Sequence, residues 1–65
     1  MDPEQIKGNW KQIKGDIKKE WGKLTDDDLK EAEGHRDSLI GKIQERYGIA
    51  KDEAREQVEA FEKKL

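Results

Sequence analysis

The chain has 65 residues, 46% charged and 31% hydrophobic, with a formal net charge of −2 and no cysteine. That length holds one small domain, which disulfides and thiolate metal sites cannot reinforce. The near balance of charge disfavours a broad polyanion-binding surface, and no apolar run is long enough to span a membrane.

So polar a composition leans toward disorder, but the placement of the apolar residues argues for a fold. In the first segment Ile6, Trp10, Ile13, Ile17 and Trp21 recur every three or four residues, one stripe along a helix. Asp2-Pro3-Glu4-Gln5 supplies a cap, a first-turn proline and a capping-box partner, so the predicted helix spans 3–21, with Asp2–Gly8 expected to fray. Gly22 is expected to end it. Thr25 opens a second helix over 26–33, with Asp26, Asp27 and Asp28 at the positive end of its dipole. Gly34-His35 marks its end or a kink. The alternative is one helix from Asp26 to Tyr47, since the apolar spacing runs on. A third helix over 36–47 presents Leu39, Ile40, Ile43 and Tyr47, with Gly41 as a close-packing position and Gly48 as its stop. A fourth, over 51–64, opens on Asp52 and Glu53 and offers Ala54, Val58, Phe61 and Leu65.

A shift of 26 residues superposes Gly8, Gly15 and Gly22 on Gly34, Gly41 and Gly48, and Ile13, Ile17 and Trp21 on Leu39, Ile43 and Tyr47. The repeat, 8–29 and 34–55, reads as two α-hairpins, neither able to bury its apolar face alone. The expected fold is therefore all-α: a single domain, 1–65, forming a small four-helix bundle of two crossed α-hairpins.

Each chemistry-bearing group has a functional and a structural reading. Lys7, Lys11, Lys14 and Lys18 each follow a stripe residue and form a basic edge, a candidate surface for phosphates or an anionic membrane. Asp16, Glu20 and the acids of the last helix favour pairing within the molecule or plain solvation. Trp10 and Trp21 are stacking platforms or core; core is favoured, more so for Trp21. Asp26–Asp28 lack the alternating ligands of a calcium loop and read as helix-start carboxylates. His35 stands four residues from Glu31 and three from Ser38, too little for a metal site or an activated serine. Arg36 interrupts an apolar stripe. With Arg46, and near Asp37 and Glu45, it is either an anion-binding group or one half of a structural ion pair, the pair being favoured. Tyr47–Ala54, YGIAKDEA, faintly suggests a phosphate-gripping hairpin, but Ala50 stands where such modules carry a second glycine, and Leu24 in the upstream copy.

Four stretches together resemble the CsbD-like family of small bacterial general-stress proteins: GNWKQIKG (8–15), EWGKLTDDDL (20–29), EGHRDSLIGKIQERYG (33–48) and KDEA (51–54). The resemblance implies a compact all-α domain of crossed hairpins, like sterile-alpha-motif bundles, and stress-induced expression. It supplies no catalytic residue, cofactor or metal site. The expectation is a non-enzymatic, cytoplasmic stress-response protein, monomeric or weakly self-associating, acting by abundance or by binding an unknown macromolecular partner. The alternative is a nucleic-acid-binding module using the lysine edge.

Overall fold

The computed structural model describes residues 9–65. The expectations for Asp2–Gly8, including the helix start at Pro3 and the position of Lys7, lie outside them. Among the described residues there are four helices and no strand: α1 (Trp10–Glu20), α2 (Asp26–Ala32), α3 (Arg36–Tyr47) and α4 (Lys51–Lys63). The all-α four-helix expectation is met.

The stripe of α1 places Ile13 and Ile17 in the core, and Lys18 and Lys19 occupy its last turn, where cations suit the helix dipole. The helix ends at Trp21 rather than at a left-handed glycine. The Trp21 N–H donates to the Ile17 carbonyl at 2.8 Å and the Leu24 N–H to the Trp21 carbonyl at 3.1 Å. Gly22 is exposed and not among the positive-φ residues, which corrects its expected role as the stop. The chain turns here because Trp21 and Leu24, 3% and 2% exposed, are both drawn into the core.

Thr25 caps α2 with both bonds of a capping box. The Asp28 N–H donates to Thr25 Oγ1 and the Thr25 N–H donates to Asp28 Oδ2, each at 3.0 Å. α2 then stops on two successive residues in the left-handed region, Glu33 (φ 40°) and Gly34 (φ 85°). This double reversal rules out a continuous helix from Asp26 to Tyr47. A glutamate at that φ costs about 1–2 kcal/mol, which the packing on either side holds in place: Ala32 and Gly34 are both buried.

α3 is central, packing on both α2 and α4. Leu39, Ile40 and Ile43 form its buried face, and Tyr47 is half-buried against the core. Gly48 (φ 62°) is the left-handed stop, its N–H donating to the Gln44 carbonyl at 2.8 Å. Gly41 is exposed, and a Cβ there would meet nothing within 4 Å, so its expected close-packing role is corrected. α4 contributes Ala54, Val58 and Phe61, whereas Leu65 is 43% exposed, outside the core where its spacing had placed it. The stripe outruns the helix, which ends at Lys63. α1 joins α4 through the Trp21 and Phe61 rings, 5.2 Å apart and tilted by 58°, and through Trp21 Nε1–H, which donates to Gln57 Oε1 at 2.9 Å.

The two glycines of α3 should respond oppositely to alanine. Gly41→Ala fills open space inside a helix and should stabilise by about 0.5–1 kcal/mol. Gly48→Ala should destabilise by about 1 kcal/mol, because its φ disfavours a Cβ. Urea denaturation followed by helical circular dichroism measures both.

Candidate functional site

The two arginines singled out in the sequence stand at opposite ends of α3, about 15 Å apart along its axis, and do not form one site. Each holds a buried carboxylate of a neighbouring helix. Arg36, the first residue of α3, donates from Nε to Glu62 Oε2 at 2.9 Å, and Nη2 lies 3.6 Å from Glu59 Oε1. The Glu62 side chain is 2% exposed and that of Arg36 19%. Glu62 sits near the C-terminal end of α4, where the helix dipole opposes a carboxylate, so the guanidinium is its principal stabilising partner.

Arg46, in the last turn of α3, grips Asp28 with two parallel bonds, Nε to Oδ2 at 2.7 Å and Nη2 to Oδ1 at 2.9 Å. The Asp28 side chain is 4% exposed; it also accepts the Thr25 N–H, and Lys42 Nζ stands 3.9 Å away. Lys42 Nζ donates to Glu31 as well. The Arg46 guanidinium, then the Thr25 N–H, hold the Asp28 carboxyl well below the ordinary carboxylate range. The Arg36 guanidinium is raised by its bond to Glu62, and that of Arg46 by its bond to Asp28. Among the described residues no buried side-chain nitrogen or oxygen lacks a hydrogen-bond partner.

On α1, Lys11 and Lys14 are exposed. Lys18 Nζ lies 2.6 Å from Asp26 Oδ1, and the Asp26 carboxyl is lowered by that bond. Trp10 is half-buried against the core at the start of α1, and Trp21 is core. His35 and Glu31 sit on either side of the Glu33–Gly34 reversal, so the one-helix geometry that a shared metal would need is absent. Among the described residues no group of three His, Cys, Asp or Glu side chains could hold a metal, and no helix is long and apolar enough to cross a membrane. A depression of about 350 Å³ lies between the start of α1 and the end of α4, lined by Asn9, Gln12, Ile13, Asp16, Lys64 and Leu65.

The sequence reading missed three things. Asp28 is a buried anchor rather than one of three equivalent dipole carboxylates; the Thr25-x-x-Asp28 spacing carried that signal. Glu62 follows Phe61 in the buried edge of α4 with no sign of its partner. Tyr47 Oη accepts the Lys23 N–H at 3.1 Å, and Lys23 Nζ lies 5.1 Å from the centre of the Tyr47 ring, tying the α1–α2 turn to the end of α3.

A small helical bundle whose buried carboxylates are held by arginines of a central helix is the class that fold and geometry define. Residues 4–56 match the CsbD-like family model, and the chain belongs to that family. It is similar to the UPF0337 protein YjbJ of Escherichia coli O6:H1, 56% identical over 64 residues, covering 98% of this chain and 93% of the relative. It is 56% identical over 62 residues to the UPF0337 protein ECA0631 of Pectobacterium atrosepticum, covering 95% of this chain and 90% of that one. The UPF0337 protein PA4738 of Pseudomonas aeruginosa is 52% identical over 65 residues, the full length of both. No solved structure gives a significant match.

The Asp28 geometry fixes a pH dependence. Its carboxyl has a lower pKa folded than unfolded (ordinary value 3.8), so its contribution is present above that value and lost as pH falls through the folded pKa. Asp28→Asn should flatten the acid limb of a stability-versus-pH curve below about pH 5 and lower the melting temperature at neutral pH. Arg36→Met, which leaves Glu62 buried without its guanidinium, should cost about 1–3 kcal/mol in urea denaturation.

Proposed function

We propose that this protein is a non-enzymatic, cytoplasmic component of the bacterial stress response, acting through its abundance or through a macromolecular partner met at its charged surface. The observation that carries this reading is the use of the interior acids. Asp28 and Glu62, the buried carboxylates, are each spent on an arginine of α3 and on helix-to-helix contact. What remains accessible is a densely charged exterior. The resemblance to general-stress proteins supports the physiological part.

A second reading, nucleic-acid binding along α1, draws support from the exposure of Lys11 and Lys14. Lys18, Arg36 and Arg46 speak less for it, since carboxylates already hold their charges. Lys7 lies outside the described residues.

Titrated expression in a strain lacking the gene separates these ideas. Survival of osmotic, heat, acid or stationary-phase challenge should rise steadily with the amount of protein. Saturation at a few copies per cell would point to catalysis, and unchanged survival on deletion would remove the stress role. Salt-sensitive binding of duplex DNA, lost in Lys11→Gln/Lys14→Gln, would favour the second reading.

A further inference from the structure

At about 100° per residue, α1 carries Lys11, Lys14, Lys18 and Lys19 within one exposed arc of about 140°, interrupted only by Gly15 and by no acid. Asp16 and Glu20 lie beyond it. On α4 the exposed arc of similar width carries Asp52, Glu53, Glu56 and Glu59, with Lys63 entering only in the last turn.

The fold keeps these faces apart. α1 rests on the core through Ile13 and Ile17. Its lysine edge borders the start of α2, where Lys18 meets Asp26, and its opposite edge meets the end of α4, where Glu20 lies 3.9 Å from Lys64. Among the described residues no ion pair joins an α1 lysine to an α4 acid. Lys11 and Lys19 on one face, and Glu53 and Glu56 on the other, enter no ion pair among the described residues.

We propose that the occupant of both faces is a second copy of this chain: the lysine arc of α1 on one molecule docks against the acidic arc of α4 on the next. Because the complementary faces lie on different helices, each molecule can offer lysines to one neighbour and acids to another, and a head-to-tail run of such contacts leaves a lysine face free at one end and an acidic face at the other. Such contacts build open, reversible clusters. The formal net charge of −2 adds little long-range repulsion. Contacts between exposed charges are individually weak, so the attraction belongs to high protein concentration and fades with salt. It is a property of the purified protein and stands apart from the stress reading above.

The test is the osmotic second virial coefficient of the purified full chain, by static light scattering, from about 0.01 M to about 0.3 M salt. The wild type should be net attractive at low salt and lose that attraction as salt rises. Exchanging one charge between faces, Lys11→Glu with Glu53→Lys, keeps composition and net charge but mixes the signs on each face, and should abolish the low-salt attraction. Lys19→Glu with Glu56→Lys does the same at an independent pair of exposed positions, should the first pair disturb folding. The fourfold exchange K11E/K19E/E53K/E56K leaves two charges of each sign on either face and should be no more attractive than the paired exchanges. Repulsion in the wild type at low salt, or attraction surviving in the mixed variants, would overturn the proposal. So would occupation of the lysine arc by duplex DNA while the chains themselves repel.

Discussion

The Asp28–Arg46 pair is the constraint on which the arrangement of α2 and α3 depends. A carboxylate at 4% exposure is tolerated only when its lone pairs are filled. Here two guanidinium bonds and the Thr25 N–H fill them. One side chain thus caps the start of α2 and binds the end of α3, fixing both the direction of α2 and the register between the two helices. Arg36 repeats the device at the other end of α3 with Glu62 of α4. The central helix holds each neighbour by an arginine set on a buried carboxylate, while Leu39, Ile40 and Ile43 supply the apolar contact between those anchors.

α1 is attached in a different way. Its bond to the rest is the apolar stripe and the Trp21 indole, which packs at a tilt against Phe61 and reaches Gln57. Among the described residues its ion pairs, to Asp26 and Lys64, are exposed ones. The polarity of α1 nevertheless fits its surroundings: lysines border the acidic start of α2, and Glu20 borders the basic end of α4. These contacts guide orientation more than they add stability, because exposed pairs contribute about 0–1 kcal/mol.

Periodicity made the helices and most of the core legible, since Ile13, Ile17, Leu39, Ile43, Ala54, Val58 and Phe61 obey the helical repeat and are buried. Local chemistry made Thr25 and Gly48 legible for the same reason: a cap and a stop act within a few residues. Gly22 and Gly48 look alike in sequence, each after an aromatic residue, yet only Gly48 turns left-handed. The difference is tertiary. Trp21 and Leu24 are both pulled inward and shape the first turn, whereas Tyr47 stays half-buried and its hydroxyl serves Lys23. The partners of Arg36 and Arg46 were out of reach for a related reason. Where 46% of residues are charged, nearly every arginine has acids in plausible range, and only the packed helices select Glu62 and Asp28.

The charges of this chain therefore fall into two populations with different responses to solvent. The α3 anchors keep their carboxylates buried, at 2% and 4% exposure, so salt screens them less, although the Arg46 side chain is 42% exposed. The lysines of α1 and the acids of α4 stand in water, within reach of every counterion. A change of ionic strength acts on the second population and leaves the first largely untouched. The α2–α3–α4 arrangement can stay folded while the exterior passes from mutually attractive to screened. In so small a domain, placing ion pairs inside the helix contacts lets the surface respond to ionic conditions without the fold responding with it.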